Sequence, residues 1–376
     1  MQNARVRLGD ERFDIRPLGH TMKSNILSRD TESSPAQSTN TRETTEVVMP
    51  HTGGPDVLQK RERQLPPPRA DEARVRVEAA GVSFAEVQML RGRYFNQPSF
   101  PFVPGYDLVG TVTDVGSGVS ELAVGQRVAA LTETGSWADY VVLPAEKLVP
   151  ISDELDPAEA VAVVTNGVTA WQMLHRVAQV QAGQTVLVHG ASGGVGTLLT
   201  QLARAATVDV IGTASASKHD FVRSLGATPI DYHDDDVPDQ VRELAPDGAD
   251  AVFDHVGGSG LADSWRVLVP GGTLVSYGVA SALDANGHRL RPFIPLAARL
   301  LLWKALPNGK QATFYYVQRW PQYFDEDLTE VLTLLADGTI DAEIDHRVPL
   351  PEASDALQLL DSGRASGKVI LVPEAK

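Results

Sequence analysis

A glycine-rich loop between a short strand and a helix is the feature that most constrains how this chain folds. The apolar run Thr185–His189 has the pattern of a buried strand, the loop at residues 190–196 follows at once, and a helix is predicted from Thr197 to about Ala206. Such a loop presents free backbone N–H groups and the positive end of a helix dipole to a phosphate. The sequence therefore predicts a dinucleotide-binding unit, with a ligand-free glycine turn as the alternative.

The chain after this loop alternates short apolar strands with helical stretches, which is typical of a parallel, doubly wound sheet. Residues 45–151 instead show half-buried strand patterns separated by glycine and proline, which predict a mostly antiparallel β domain. A mixed pattern returns after about Phe314, so the α/β unit is predicted to be inserted in the β domain. The further strands predicted for the parallel sheet are residues 209–213, 229–232, 249–254 and 273–277, with a helix at 218–225.

The predicted fold class is α/β, with a β domain and an inserted parallel sheet. The β domain is expected to comprise residues 45–164 and 313–376, and the inserted domain residues 165–312. Residues 1–44 are predicted to be a disordered tail, because the stretch 28–46 has almost no apolar residue with which to offset its ordering entropy.

Composition excludes several classes of function. The chain has no cysteine, which rules out disulfides, a cysteine nucleophile and thiolate metal sites. Its net charge of −15 argues against a nucleic acid partner, since such binding depends on Lys and Arg neutralising phosphates. The longest apolar run, residues 293–306, is too short and too interrupted to span a membrane, and no secretory signal is evident. A cytoplasmic location is expected.

The end of the second strand decides which dinucleotide binds. An NAD-binding unit usually carries Asp or Glu there, bonded to the ribose 2′-hydroxyl. Here the next residues include Ser215, Ser217 and Lys218, and no carboxylate appears before Asp220. Hydroxyls and a positive charge suit a 2′-phosphate, so the sequence predicts NADPH as the cofactor. The alternative is that Lys218 is an ordinary solvated lysine early in a helix.

Four motifs, in this order and spacing, resemble the medium-chain dehydrogenase/reductase superfamily over residues 45–376. They are GVSFAE at residues 81–86, VPGYD at 103–107, NGVTA at 166–170 and ASGGVG at 191–196. The resemblance implies a GroES-like β domain and a Rossmann domain, with the active site in the cleft between them.

The zinc alcohol dehydrogenases of that superfamily bind a catalytic metal through a Cys and a His. This chain has Ser83 and Tyr106 at those places, and the cysteine-rich structural zinc lobe is absent, so no metal site is expected. The chain is more similar to the zinc-free quinone oxidoreductases, which include zeta-crystallin. Residues 213–219 and 229–233 are very similar to the vesicle amine transport protein subgroup.

The resemblance also implies which residues hold the cofactor. Quinone oxidoreductases are expected to hold the 2′-phosphate with a Lys and a Tyr at the places of Lys218 and Tyr232, and to line the nicotinamide at Thr169 and Gly278. The full set of predicted cofactor-binding residues is Thr169, Ser192, Gly193, Gly194, Val195, Ser215, Lys218, Tyr232, Gly278 and Val279.

Three residues are candidates for the hydrogen-bond donor that stabilises the reduced acceptor. Ser83, Tyr94 and Tyr106 each have a structural alternative: Ser83 as a cap of the helix through Leu90, Tyr94 as part of the cleft wall, and Tyr106 as a core aromatic residue. Many family members have Asn and Asp where this chain has Ser83 and Glu86. Glu86 is expected to be a structural partner.

Three functions remain open at this point. The first is an NADPH-dependent reductase of a quinone or an α,β-unsaturated carbonyl (enone), and the second is a 2-enoyl-thioester reductase. The third is a nucleotide-binding adaptor or lipid-binding protein with little turnover, for which the apolar segment 293–303 is the support; that segment also suits a core or dimer helix. A homodimer is expected, with strand 273–277 continuing the sheet across a two-fold axis.

Overall fold

The computed structural model describes residues 41–233, 237–279 and 293–374. The predicted tail lies outside the described residues as far as residue 40, but its predicted end at residue 44 is wrong. A strand, Arg42–Val48, pairs antiparallel with Gln59–Leu65. These polar residues form a strand because the buried carboxylate of Glu46 accepts hydrogen bonds from Arg61 and Arg63 on the partner strand.

The strands of the described residues form three sheets: a two-stranded one (β1–β2), a six-stranded one and a seven-stranded one. Their bounds are β1 (Arg42–Val48), β2 (Gln59–Leu65), β3 (Glu72–Val82), β4 (Asp107–Val115), β5 (Arg127–Leu131), β6 (Tyr140–Pro144), β7 (Val149–Pro150), β8 (Thr185–His189), β9 (Asp209–Ala214), β10 (Thr228–Asp231), β11 (Ala249–Asp254), β12 (Leu268–Ser276), β13 (Gln311–Phe314), β14 (Ile344–Pro349) and β15 (Lys368–Val372).

Helices cover both large sheets. Their bounds in the described residues are α1 (Phe84–Leu90), α2 (Pro157–Trp171), α3 (Gly194–Ala205), α4 (His219–Ser224), α5 (Val237–Leu244), α6 (Leu261–Arg266), α7 (Phe293–Lys304), α8 (Phe324–Ala336) and α9 (Ala353–Asp361). No helix in the described ranges has the length and apolar character needed to cross a bilayer.

The six-stranded sheet is parallel throughout, in the order β10-β9-β8-β11-β12-β13, which confirms the predicted doubly wound unit. After β8 the chain adds β9 and β10 on one side of the sheet, and after β11 it adds β12 and β13 on the other side. The direction of winding therefore reverses between β8 and β11, and ligands of such sheets bind at the carboxyl ends of the strands at this point. We call this sheet with its helices the α/β lobe.

One prediction about this sheet is wrong. The strand predicted at 273–277 is the inner strand β12, which begins five residues earlier, at Leu268, and does not lie at an edge. It is covered by β13, which pairs with it from Thr273 to Ser276. The sequence did not reveal β13 because a four-residue strand is too short for a clear alternation.

The seven-stranded sheet, the β lobe, runs β14-β15-β3-β4-β5-β7, and β6 also pairs with β3. Its pairings are antiparallel except for β14 with β15, which agrees with the predicted β domain. Strand β15, close to the C-terminus, pairs with β3 and closes the domain after the insertion. The predicted boundary at residues 312 and 313 falls within β13, so the α/β lobe extends to Phe314.

Helix α2 lies between the two lobes. Its N-terminus is capped by Asp156, whose carboxylate accepts the backbone N–H groups of Ala158 and Glu159, and Pro157 supplies a preset first turn. The helix is buried on all faces, packing against β3, β4 and β15 of the β lobe and against α3 of the α/β lobe. The predicted boundary at residues 164 and 165 therefore lies inside this shared helix.

Candidate active site

The glycine loop lies at the carboxyl end of β8, where the sequence placed it. Helix α3 begins at Gly194, three residues before the predicted start, and Gly193 is its N-cap. A Cβ atom added to Gly196 would lie 2.2 Å from the carbonyl oxygen of Gly190, so this glycine lets the helix pack on the turn that follows the strand. A Cβ atom on Gly193 would meet only one atom, at 3.4 Å. The N–H of Gly193 donates to the Gly190 carbonyl oxygen (2.9 Å), so what Gly193 leaves open to a phosphate is the space that a side chain would fill.

A chain of hydrogen bonds fixes the start of this loop. Ser264 donates to Asp254 (2.7 Å), so the Ser264 oxygen accepts from Nε2 of His189 (3.0 Å). The other ring nitrogen, Nδ1, accepts from Thr213 (3.3 Å), whose oxygen accepts the N–H of Gly190 (3.1 Å). Burial lowers the pKa of His189, and the neutral ring satisfies both neighbours. Sequence reasoning missed this chain, since its members are far apart in the sequence.

The residues predicted to line the nicotinamide come from both lobes. Gly278 and Val279 follow β12, and Gly278 packs on His255, where an added Cβ atom would lie 2.5 Å from the His255 carbonyl oxygen. Thr169 is a buried residue of α2, and Asn166 on the same helix reaches the loop at Gly194. The second lobe also contacts the loop directly, since the N–H of Gly367 donates to the Ser192 carbonyl (2.9 Å).

The residues predicted for the 2′-phosphate gather at the ends of β9 and β10. Lys218, half-buried, donates to the carbonyl oxygens of Gly363 (2.9 Å) and Ala365 (2.6 Å) in the other lobe, which is more order than a solvated lysine would have. The hydroxyls of Ser215 and Ser217 are 3.2 Å apart. Tyr232 follows β10 with its side chain largely exposed.

The helix expected at 218–225 is present as α4, one residue shorter at each end, and a 3-10 turn, Ala216–Lys218, precedes it. One feature of this corner differs from the sequence prediction. The sequence predicted no carboxylate here, but Asp231 at the end of β10 lies at this corner and accepts the N–H of Ala216 (3.0 Å). Asp231 is not part of the stretch that follows β9 in the sequence, but the parallel pairing of β9 and β10 brings it beside that stretch.

Ser83 caps the helix that ends at Leu90, which is the structural alternative given for it above. It is the N-cap of α1, and its backbone N–H donates to Oε2 of Glu86 (2.9 Å), as in a capping box. The Ser83 hydroxyl forms a short hydrogen bond with the same carboxylate oxygen. Glu86 is fully buried.

Tyr94 and Tyr106 are brought together in a chain of phenols that extends to the end of the α/β lobe. The Tyr94 and Tyr106 hydroxyls are 2.8 Å apart, and the Tyr106 and Tyr316 hydroxyls 3.2 Å apart. Tyr316 donates to Gln318 (2.7 Å), so Tyr316 accepts from Tyr106, which accepts from Tyr94. Burial raises the pKa of both Tyr94 and Tyr106, so the phenols stay neutral. Sequence reasoning missed Tyr316, which follows Tyr106 by 210 positions.

Aromatic rings surround these hydroxyls. Phe95 packs edge-on against Tyr316 (centroids 4.9 Å apart) and against Phe293 (5.8 Å), and the Tyr94 ring lies 4.9 Å from Phe95. The two lobes thus meet in a wall of aromatic rings that carries phenol hydroxyls. Such a wall suits a flat, unsaturated molecule with a carbonyl oxygen.

Comparison with known proteins identifies the family. Residues 69–153 match the alcohol dehydrogenase GroES-like domain, and residues 225–371 match a family described as zinc-binding dehydrogenase. The synaptic vesicle membrane protein VAT-1 homolog of Homo sapiens is 34% identical over 341 residues, which are 87% of this chain and 86% of that protein. The chain belongs to the medium-chain dehydrogenase/reductase superfamily.

Solved structures place this member of the superfamily more closely. The quinone oxidoreductase of Pseudomonas syringae pv. Tomato is 30% identical with a TM-score of 0.77, covering 88% of this chain and 100% of that chain. The Escherichia coli quinone oxidoreductase, solved in complex with NADPH, is 26% identical with a TM-score of 0.78 and the same coverage. The predicted branch, near the quinone oxidoreductases and the VAT-1 homologues, is confirmed.

The superfamily includes zinc enzymes, so the candidate metal positions need a separate account. Within the ranges the structure describes, no group of three or more His, Asp or Glu side chains is arranged to hold a metal ion. The two places at which the superfamily's zinc enzymes have ligands hold Ser83, bonded to Glu86, and Tyr106, bonded to two other phenols.

Proposed function

We propose that this protein is an NADPH-dependent reductase that transfers hydride to a quinone or an α,β-unsaturated carbonyl without a metal ion. The observation that carries the proposal is the juxtaposition of two elements: a glycine loop open at Gly193 and a wall of rings and phenols including Tyr94 and Tyr316. The first suits a dinucleotide and the second a flat acceptor. The complex of the E. coli quinone oxidoreductase with NADPH supports the same cofactor.

The residues present fit NADPH. The α3 N-terminus at Gly193 faces the place of a pyrophosphate, and Lys218, Ser215 and Tyr232 form a corner for the 2′-phosphate. The Asp231 carboxylate at this corner is occupied by the backbone N–H groups of Ala216 and His233. Thr169, with Gly278 and Val279, would border the nicotinamide. NADPH supplies a hydride when bound. The protein's own contribution is to hold the cofactor and acceptor side by side and to stabilise the negative charge that develops on the acceptor oxygen.

Tyr94 is proposed to stabilise that charge by turning its hydroxyl hydrogen from Tyr106 to the acceptor oxygen. We expect Tyr94→Phe to lower kcat/KM for the acceptor about ten- to a hundredfold, since a hydrogen bond to a charged oxygen contributes about 1.5–3 kcal/mol. The NADPH dissociation constant should not change. Tyr323→Phe is the control, because Tyr323 stacks on Arg176 away from the phenol chain. Equal losses in the two variants would remove Tyr94 from the mechanism.

A homodimer is proposed through the edge of the parallel sheet that β13 forms, in place of the strand 273–277. The edge strand is β13, and the neighbouring helix α7 exposes Ile294, Leu301 and Leu302, each more than 60% accessible, while Leu296 and Leu300 face the core. Exposed apolar residues on one helix beside a sheet edge suit a second copy of the chain. Sedimentation at micromolar concentration should show a dimer, and Leu301→Glu should shift it towards monomer. A wild-type monomer would contradict the proposal.

The function is tested by NADPH oxidation against a panel of quinones, enones and 2-enoyl thioesters, with elemental analysis of the same sample. We expect turnover with quinones or enones, little with thioesters, and no stoichiometric zinc whose removal abolishes activity. NADPH binding without oxidation by any acceptor would instead support the adaptor or lipid-binding alternative. A cytoplasmic location is proposed for the reductase, and fractionation of cells expressing the full chain tests it.

A further inference from the structure

Three charged side chains lie buried behind Ser83. Glu86 on α1 and Asp107 at the start of β4 are fully inaccessible, and Lys368 at the start of β15 is 4% exposed. The Lys368 Nζ lies 3.6 Å from Oδ2 of Asp107. Asp107 is well satisfied, since its two oxygens accept the N–H groups of Gly81 (3.0 Å) and Thr165 (3.3 Å).

Glu86 is less well satisfied than Asp107. Oε2 is bonded to Ser83, but Oε1 has no hydrogen-bond partner among the described residues, and neither does the Lys368 ammonium. A buried carboxylate oxygen without a partner is costly, and a proton on the carboxyl group removes the charge. Burial raises the pKa of Glu86 to about 7, with Asp107 adding to the rise, while the Ser83 hydrogen bond and the charge of Lys368 oppose it.

The surroundings of Glu86 contain few other titratable groups. Lys368 and Asp107 face it from β15 and β4, and Tyr94, which follows α1, is near enough to interact electrostatically with it. Since Tyr94 stays neutral, Glu86 is the group of this cluster that takes up and releases a proton near neutral pH. The Ser83 side chain separates that proton from the cleft, because Ser83 is partly exposed while Glu86 is not.

We propose that Glu86 is the proton source for the reduction and that Ser83 passes the proton to the acceptor. The proposal rests on the proposed function and adds to it the origin of the proton. The phenol chain does not provide one, because burial raises the pKa of Tyr94 and Tyr106 and makes these phenols weaker acids than Glu86. The Ser83–Glu86 bond instead reverses its direction with the protonation of Glu86: the neutral acid donates to Ser83 and leaves the serine hydrogen free, whereas the carboxylate accepts that hydrogen.

The acceptor gains a hydride and becomes an enolate or a hydroquinone anion, with the electron pair on its oxygen. That oxygen takes the Ser83 hydroxyl proton as the Oγ–H bond breaks, and Oγ takes the carboxyl proton of Glu86. Glu86 is left as a carboxylate that the Lys368 ammonium stabilises, and water restores its proton for the next cycle.

The test compares Glu86→Gln and Ser83→Ala with wild type, using hydride transfer in single turnovers from pH 5.5 to 9. Gln keeps an oxygen for the Ser83 N–H and thus the helix cap, but has no proton to give. Wild-type rates should be level below about pH 7 and fall about tenfold for each pH unit above it, because the competent form is the protonated acid. Each variant should be at least tenfold slower at pH 6 and lack this fall, with the NADPH dissociation constant unchanged.

A second readout does not require turnover. Infrared difference spectra of the protein without cofactor, between pH 6 and pH 8, should contain a carboxylic acid C=O band that is present in wild type and Ser83→Ala and missing in Glu86→Gln. If wild type turns over while Glu86→Gln keeps the same pH profile, or the band survives in Glu86→Gln, the proton relay is wrong and the reductase stands. If none of the acceptors in the panel supports NADPH oxidation by the wild-type protein, both proposals fail.

Discussion

Lys218→Ala is expected to weaken NADPH binding ten- to a hundredfold and to leave NADH binding nearly unchanged. A charge-assisted hydrogen bond to the 2′-phosphate contributes about 1.5–3 kcal/mol, and about 1.4 kcal/mol is a factor of ten. NADH has no 2′-phosphate and loses nothing by the change. The measurement is the ratio of the NADPH and NADH dissociation constants in wild type and variant.

The same substitution also removes hydrogen bonds to the carbonyl oxygens of Gly363 and Ala365, so a control is needed. Lys310→Ala is matched to it: Lys310 is also half-buried and donates to a backbone carbonyl, that of Trp265 (3.1 Å), on the far side of the sheet from β10. Lys310→Ala should have the same ratio of NADPH and NADH dissociation constants as wild type. A wild type that prefers NADH, or a Lys218 variant that loses both cofactors equally, would show that the 2′-phosphate is not held here.

Gly193→Ala is expected to reduce the affinity for NADPH and NADH alike by roughly thirtyfold without lowering the thermal stability of the free protein. The backbone at Gly193 (φ −89°) suits any residue, and an added Cβ atom meets only the Gly190 carbonyl oxygen, at 3.4 Å. The methyl group would instead occupy the approach of the pyrophosphate to α3. Losing the interaction of an anion with a helix N-terminus costs up to about 2 kcal/mol.

Gly196→Ala, three residues further along the loop, should behave in the opposite way. Its methyl group would lie 2.2 Å from the Gly190 carbonyl oxygen and 2.8 Å from the Ala191 Cα, so backbone must move. Overpacking of this kind costs typically 1–3 kcal/mol, which calorimetry would detect as a lower Tm. If Gly193→Ala binds both cofactors as wild type does, the loop does not hold a pyrophosphate.

The sequence predicted the features that depend on local pattern. The strand Thr185–His189, the order strand–loop–helix and the parallel sheet follow from apolar periodicity and from glycines whose packing the structure explains. The closing of the β domain by the C-terminal segment was also predictable, because the mixed pattern returns after the insertion.

Features created by tertiary contact were not predictable in this way. Strand β13 is too short for a periodic signal and is identified only by its pairing with β12. Asp231 lies well beyond the residues that follow β9 in the sequence, and only the parallel pairing of β9 and β10 brings its carboxylate beside them. Tyr316 had no motif to mark it, although it completes the phenol chain.

Helix α2 has a consequence for how the protein melts. Twelve of its residues are buried, against the sheet of one lobe and α3 of the other, so each lobe needs this helix to complete its apolar core. Unfolding either lobe would expose the apolar surface of α2 and remove support from the partner. Two sheets with different topologies should therefore unfold together, in one cooperative transition with no half-folded species.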